Sequence, residues 1–207
     1  MQNKRCVIFD LDGTLVDSEL LSTRVLLEMV PRLQESADTL TRAYRGWRFA
    51  SIIADVEQRV GGKLADSFET SFRERVAEVF AKDLQTIPEV PAMLASLRHT
   101  CCVASSAPLA KIHHALEVTG LDGYFNGNLF SCYQINSWKP APDIFLYTAR
   151  EMGFAPAQCV VVEDSEVGVQ AGTAAGMTVF QYEPSAPPEK TTFGYRFNAM
   201  EKLTELL

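Results

Sequence analysis

The sequence has few of the residues that form disulfide or metal–thiolate sites. It contains three histidines and five cysteines in 207 residues, without a CxxC pair or the Cys/His spacing of a zinc site. The number of cysteines is odd, and Cys6, Cys101, Cys102 and Cys159 open apolar runs that are typical of strands. We therefore expect buried, reduced thiols. The histidines are expected at the surface or at helix ends.

Long apolar stretches and an excess of positive charge are also missing. The first apolar run stops at Asp10, which makes it too short for a signal peptide or a membrane span. The 19 Lys and Arg residues are outnumbered by 26 Asp and Glu, for a net charge of −7. Nucleic acids and anionic membranes recruit concentrated positive charge, so neither is an expected partner. The composition favours a folded, cytoplasmic protein that acts on small molecules.

Three short apolar runs are each followed directly by polar side chains. They are residues 6–9 before Asp10, residues 101–104 before Ser105, and residues 159–162 before Glu163 and Asp164. Such runs are typical of strands buried on both faces of a parallel sheet. Segments with helical spacing alternate with them, which predicts a Rossmann-like, doubly wound α/β layer. Its polar strand ends should meet in one crevice at the carboxyl edge of the sheet.

A different pattern covers residues 16–86. Helical stripes follow one another there without a strand-like run, and proline and glycine breaks suggest about four helices. Ile87 and Pro88 mark the return to the α/β layer. We predict an α/β core domain of residues 1–15 and 87–207, and an inserted helical-bundle cap domain of residues 16–86.

Asp10 and Asp12 form a carboxylate pair where the first strand opens into a turn that contains Gly13. A spacing of two residues on a strand aims both side chains to the same side of the backbone. Such a pair can divide the roles of nucleophile and general acid. A loop of solvated acids is the alternative, and the pair alone favours that alternative.

The polar residues at the other strand ends also allow two interpretations each. Ser105 precedes a helix, where it could bind phosphate or cap the helix. Lys139 is a compact cation suited to a phosphoryl group, although a lone lysine before a proline is usually a solvated loop residue. Glu163 and Asp164 would repel each other at a buried strand end unless a cation lay nearby. Capping of the next helix is the competing use of Asp164 or Ser165.

These segments, in this order, resemble the four motifs of the haloacid dehalogenase superfamily. The string from Asp10 to Val16 resembles the first motif, and Ser105, Lys139 and the pair Glu163 and Asp164 resemble the other three. The resemblance implies that Asp10 forms an aspartyl-phosphate and that Asp12 is the general acid and base. Other implied roles are phosphate binding by Ser105 and the following backbone N–H of Ser106, charge neutralisation by Lys139, and substrate binding that includes Thr14.

A Mg²⁺ cofactor follows from the same resemblance and from the chemistry of the acids. Hard oxygen donors suit this ion. The expected ligands are Asp10, the backbone carbonyl of Asp12, and Asp164, with Glu163 binding directly or through water.

The branch of the superfamily is indicated by Asp12 and by the helical insertion. Dehalogenases and phosphonatases lack an acid at the place of Asp12, so phosphate-ester chemistry is favoured. The insertion, the pair Asp17 and Ser18, and residues 139–145 resemble the β-phosphoglucomutase-like branch, which includes sugar-phosphate phosphatases and mutases. Ser22 stands where the mutase has a histidine, and Thr14 where it has a valine. Mutase activity is therefore the alternative, and a non-enzymatic regulator with this fold is a more distant one.

The string Tyr44-Arg45-Gly46-Trp47-Arg48 aligns with the cap loop that contacts substrate in this branch. Its two arginines could hold a second anion such as a sugar-acid carboxylate, or form a solvated basic loop. This string and the Trp138-Lys139-Pro140 start of the third motif are similar to phosphatases of the branch that act on 6-phosphogluconate. The expected activity is Mg²⁺-dependent hydrolysis of a sugar phosphate or sugar-acid phosphate.

Overall fold

The computed structural model describes residues 5–207; residues 1–4, at the start of the predicted core, lie outside this range. The described residues form one seven-stranded sheet in the order β3-β2-β1-β4-β5-β7-β6. The strands are β1 (Cys6–Phe9), β2 (Thr100–Ser105), β3 (Leu129–Ser131), β4 (Cys159–Glu163), β5 (Thr178–Tyr182), β6 (Glu189–Lys190) and β7 (Gly194–Phe197). All neighbours pair in parallel except β6 and β7.

Helices cover both faces of this sheet. They are α5 (Val90–Ser96), α6 (Leu109–Val118), α7 (Asp122–Phe125), α8 (Cys132–Ile135), α9 (Asp143–Glu151), α10 (Glu166–Ala174) and α11 (Leu203–Leu206). Side chains of β1 alternate between two apolar clusters, with Val7 and Phe9 in one and Cys6 and Ile8 in the other. This two-sided burial explains why the strand is a continuous apolar run. The predicted doubly wound α/β fold is confirmed.

Four further helices lie between β1 and α5, within a part of the chain that is fully described. They are α1 (Glu19–Met29), α2 (Ala37–Tyr44), α3 (Phe49–Val60) and α4 (Phe68–Asp83). Phe72, Val76 and Phe80 recur every four residues of α4 and are buried, as expected for an amphipathic helix. Helix α1 packs on α2 and α4, and α4 reaches α6 beyond the insertion.

The two chain segments that join these four helices to the sheet run side by side. Val16 and Thr86 form an antiparallel bridge. The Asp17 N–H donates to the Gln85 carbonyl at 3.0 Å, and the Ile87 N–H donates to the Leu15 carbonyl at 2.9 Å. The predicted domain boundaries at residues 15/16 and 86/87 fall at this paired connection, and they remain a prediction.

The cysteines are free thiols, as predicted from their number and spacing. Four are buried, and Cys101 is partly exposed. Burial raises the pKa of the Cys101 thiol to about 11, which keeps it protonated at neutral pH. No helix among residues 5–207 combines the length and apolarity that crossing a bilayer requires.

Candidate active site

A cavity of about 330 Å³ lies where the carboxyl ends of β1, β2 and β4 face helices α1–α4. Its lining includes Asp10, Asp12, Ser105 and Lys139, together with Glu163 at the end of β4 and Asp164 directly after it. The parallel order β2-β1-β4 places these strand ends next to one another. The crevice predicted from the three polar strand ends is therefore present, and it is closed on the opposite side by the helical insertion.

Lys139 is the centre of a buried ionic cluster. Its Nζ donates to Asp10 Oδ1 at 2.5 Å and to Glu163 Oε1 at 3.0 Å. Burial raises the pKa of Asp10 to about 8, with Lys139 opposing that change and Glu163 adding to it. Burial opposes the charge of Lys139 as well, but the two carboxylates raise its pKa overall. The lysine thus stays cationic and neutralises part of the negative charge.

Asp10, Glu163 and Asp164 form an acidic cluster with room for a cation. One carboxylate oxygen from each lies within 4.8 Å of the others, and all three side chains are buried. Burial, followed by repulsion from Glu163, Glu19 and Asp10, raises the pKa of Asp164 well above its usual value. Lys139 contacts two of the three acids, Arg45 Nε lies 3.6 Å from the third, Asp164, and all the possible metal donors are hard oxygens. This excess of buried negative charge fits a divalent ion such as Mg²⁺.

A hydrogen bond from Thr14 and the close approach of Gly13 hold the Asp164 carboxylate in position. The Thr14 hydroxyl donates to Asp164 Oδ1 at 3.1 Å, and a Cβ on Gly13 would overlap the Asp164 carboxylate. Thr14 is fully buried and lies outside the cavity lining. The structure therefore places Thr14 behind the acidic cluster, and its predicted contact with substrate stays a prediction.

The start of α10 orients Glu163. The Ser165 N–H donates to Glu163 Oε2 at 3.1 Å, and its hydroxyl donates to Oε1 at 3.1 Å. The same hydroxyl accepts the Gly168 N–H at 3.2 Å and caps the helix. A Cβ on Gly168 would overlap Glu163. Ser165, and not Asp164, is thus the helix cap at this strand end.

Asp12 has a separate set of partners. Lys111 Nζ donates to Asp12 Oδ1 at 2.7 Å, and the Ser18 hydroxyl donates to the same oxygen. Burial opposes ionisation, but these two donors lower the pKa of Asp12. Lys111 was not predicted. A lysine in the first turn of the helix after the second motif is the signal that could have indicated it.

The loop from β2 to α6 forms part of the cavity lining. Ser105 is buried, and its Oγ accepts the Ala107 N–H at 3.0 Å. The Ser131 hydroxyl holds the loop by donating to the Ala107 carbonyl at 2.6 Å. Ser105 and Ser106 both line the cavity next to the start of α6. Hydroxyls and helix-terminal amides together make an anion site.

The loop between α2 and α3 lies over the acids of the core. Gly46 and Trp47 line the cavity. Gly46 has a φ of +73°, and a Cβ there would come within 2.8 Å of Ser165. Both the positive φ and the close approach require glycine.

The two arginines of this loop are not cavity-lining residues themselves, but Arg45 contacts two acids that are. Arg45 Nε lies 3.5 Å from Glu19 Oε2 and 3.6 Å from Asp164 Oδ2. The Arg48 guanidinium stacks 3.7 Å from the Trp138 ring centroid. The sequence left open whether these arginines hold a second substrate anion or form a solvated basic loop, and both uses stay predictions.

Two further cavity residues were not predicted as site residues. Glu19 lines the cavity, and burial raises its pKa to about 7, with Arg45 opposing the change. His114 also lines the cavity, and its Nε2 lies 3.0 Å from the Ala77 carbonyl. His114 is partly exposed and lies within α6, where it also contacts α4.

Comparison with known proteins gives the family. A family model for haloacid dehalogenase-like hydrolases matches residues 4–176. A 6-phosphogluconate phosphatase of Escherichia coli is 33% identical over 202 residues, which cover 93% of this chain and 91% of that protein. A fructose-1-phosphate phosphatase of the same organism is 32% identical over 83% of this chain and 92% of its own length.

Solved structures agree with this relationship. A haloacid dehalogenase-like protein of unknown function from Agrobacterium tumefaciens has a TM-score of 0.79 at 26% identity and covers 97% of this chain and 96% of its own. A putative β-phosphoglucomutase from Thermotoga maritima has a TM-score of 0.75 at 25% identity, with 98% and 100% covered. The chain belongs to the haloacid dehalogenase-like hydrolases.

Proposed function

We propose that this phosphoric monoester hydrolase is a Mg²⁺-dependent phosphatase that uses Asp10 as its nucleophile. The observation that carries the proposal is the buried cluster in which Lys139 contacts Asp10 and Glu163 while Asp164 lies within metal-sharing distance. The cluster opens onto the cavity that Ser105 also lines. The proposed nucleophile Asp10, the cation Lys139 and the proposed phosphate-binding Ser105 thus lie together at the carboxyl edge of the sheet.

The proposed reaction has two steps. Asp10 attacks phosphorus and forms an aspartyl-phosphate while Asp12 protonates the departing alcohol. Asp12 then accepts a proton from the water that cleaves this intermediate. Lys139, Ser105 and the N–H of Ser106 hold the phosphate in line. When bound by Asp10, Glu163, Asp164 and the Asp12 carbonyl, Mg²⁺ supplies positive charge for the phosphate oxygens.

Lys111 sets the protonation state of Asp12 between these steps. Its contact with Asp12 favours the carboxylate, which is the form that accepts a proton from water. A phosphate that enters the cavity competes with Asp12 for the Lys111 ammonium, because Asp12 and Lys111 both line the cavity. Loss of the ion pair raises the pKa of Asp12 and favours the acid needed for the first step.

The proposed cap domain, residues 16–86, supplies one side of the cavity and thereby encloses the alcohol part of the substrate. Enclosure excludes bulk water during the first step. The names of the relatives make 6-phosphogluconate and fructose 1-phosphate the first esters to test. The test of the function is phosphate release from these and simpler monoesters, with and without Mg²⁺. Isomerised product without release, dependent on a bisphosphate activator, would instead favour a mutase.

Arg45 and Arg48 provide a test of the sugar-acid hypothesis. We expect Arg45→Met and Arg48→Met to change the ratio of kcat/KM for 6-phosphogluconate over glucose 6-phosphate by less than about 3-fold, because neither guanidinium lines the cavity. A direct contact with the sugar-acid carboxylate would instead make the ratio fall by about 10-fold or more. Steady-state phosphate release distinguishes the two results.

Metal removal is expected to make stability depend on pH. An acid whose folded pKa is raised keeps its proton longer in the folded state than in the unfolded state, so rising pH favours unfolding. Asp10, with a folded pKa of about 8, and Asp164 are such groups. In EDTA the melting temperature should therefore fall between about pH 5 and pH 8. Added Mg²⁺ should raise it most at the upper end.

Two matched variants test whether the buried acidic cluster causes this pH dependence of the melting temperature. Asp164→Asn should flatten the melting-temperature profile in EDTA and weaken the Mg²⁺ response. Asp122→Asn removes an exposed acid that lies outside the helical insertion. It should leave both the melting-temperature profile and the Mg²⁺ response unchanged. A native profile in EDTA that is flat, or that rises with pH, would contradict the buried acidic cluster as its cause.

A further inference from the structure

The helices of the proposed cap give the cavity an apolar wall. Its members are Leu26, Phe49, Ile52, Phe72, Val76 and Phe80. The rings of Phe49 and Phe72 stack with centroids 4.8 Å apart. Trp47 and Tyr133 also line the cavity, and they are 45% and 42% exposed. The polar strand ends thus face a surface of aliphatic and aromatic side chains.

Two threonine hydroxyls on this side of the cavity bind each other and the backbone. The Thr41 hydroxyl donates to Thr23 Oγ1 at 3.0 Å, and the Thr23 hydroxyl donates to the Glu19 carbonyl at 3.0 Å. Ser22 also lines the cavity, and its hydroxyl makes no such bond within residues 5–207. The wall therefore offers few unengaged polar groups to a ligand.

The larger polar side chains of the wall are engaged as well. Arg73 donates to Glu69 at 2.5 Å and to the Tyr133 hydroxyl at 2.8 Å. The Tyr44 hydroxyl donates to Asp55 at 2.7 Å, so Tyr44 presents its ring to the cavity. These contacts turn the hydrogen-bonding groups toward protein and leave carbon surface toward the cavity.

We propose that the preferred substrate is a phosphate monoester whose alcohol carries an apolar ring or chain. This inference rests on the proposed function, since it concerns the group attached to the phosphate that Asp10 attacks. Enclosing a polyol against the six apolar side chains of this wall would strip water from the hydroxyls that face them without supplying partners there. Enclosing an apolar group removes carbon surface from water on both sides. An identity of 33% to a sugar-acid phosphatase does not fix the side chains of this wall.

Cyclohexylmethyl phosphate and glucose 6-phosphate form a matched pair for the test. Each places a six-membered ring one carbon from the phosphate oxygen, and each releases a primary alcohol, so they differ mainly in ring hydroxyls and the ring oxygen. The native enzyme with Mg²⁺ is expected to show a kcat/KM at least about 10-fold higher for cyclohexylmethyl phosphate. Phosphate release measures both.

Variants at two neighbouring isoleucines of α3 test whether the apolar wall causes the preference for cyclohexylmethyl phosphate. Ile52 lines the cavity, whereas Ile53 does not. Ile52→Ser should lower the cyclohexylmethyl-to-glucose ratio about 5-fold or more, and Ile53→Ser should leave it unchanged. The ratio is insensitive to the fraction of folded enzyme. Phe49→Ser, at a partly exposed site, provides a second variant with the same expectation.

The outcomes separate this inference from the proposed function. A ratio near one or in favour of glucose 6-phosphate, with release that still requires Mg²⁺ and Asp10, would overturn the apolar substrate class alone. Equal effects of Ile52→Ser and Ile53→Ser would also overturn it. Failure to release phosphate from both esters and from all the other monoesters tested would overturn both the substrate class and the proposed function.

Discussion

Asp10→Asn is expected to lower kcat for Mg²⁺-dependent phosphate release by about 10⁴-fold to 10⁶-fold, as loss of a covalent nucleophile does in other enzymes. An amide of the same shape cannot form the acyl-phosphate bond. The Asp10 carboxylate is buried beside Glu163, and its pKa is raised to about 8. Replacing it with a neutral group should therefore keep the fold, and the metal-free variant should melt no lower than native protein at pH 8.

The control for Asp10→Asn is Asp122→Asn, which makes the same chemical change at an exposed position outside the helical insertion. It should retain native kcat. Acid-quenched native enzyme should carry a phosphoryl group detectable by intact-protein mass spectrometry, and Asp10→Asn should not. Equal phosphate release by native enzyme and Asp10→Asn would disprove the nucleophilic role.

Lys139→Met is expected to damage both stability and activity. The substitution leaves Asp10 and Glu163 buried without their shared cation. Removing one partner of a buried ion pair costs about 3–5 kcal/mol, and we expect a loss of that size in the free energy of unfolding at pH 8 without Mg²⁺. Loss of the charge that faces the phosphate should lower kcat by about 10²-fold to 10³-fold. Denaturant unfolding and steady-state kinetics measure the two effects.

Two further variants test the cause of the Lys139→Met effect. Lys111 pairs with Asp12 at a site where both side chains are about one-quarter exposed, so Lys111→Met should cost no more than about 1 kcal/mol of stability. Adding Glu163→Gln to Lys139→Met should restore part of the stability, because one unpaired acid is removed, but not the activity. Native kcat in Lys139→Met would contradict the proposed role of this lysine.

The polar groups at the strand ends were predictable because their positions follow from the order of strands and motifs along the chain. Each of Asp10, Ser105 and Glu163 stands at the end of a buried apolar run, and parallel strands bring their carboxyl ends together. Lys139 lies in a loop, where spacing gives no direction, and its place was predictable only from the order of the motifs. The contacts that hold these groups depend on the sequence just beyond each strand, as Ser165 illustrates.

The cap side of the site was less predictable because it depends on packing between distant helices. Periodicity identified the stripe of Phe72, Val76 and Phe80, but the same stripe can fill a core or line a cavity. His114 joins the site because α4 lies over α6. The directions of long flexible side chains such as Arg45 are set by acids that come from three separate segments, which local sequence does not reveal.

The paired connection at Val16 and Thr86 brings the two ends of the helical insertion together. Its backbone hydrogen bonds close a short ribbon at the edge of the core. The parallel ladder from β3 to β7 uses only residues outside the insertion. A segment from another family member grafted between residues 20 and 84 would keep both the ribbon and the Ser18 contact to Asp12. Under the proposed function, such a graft would change the cap side of the cavity while keeping the polar groups at the strand ends.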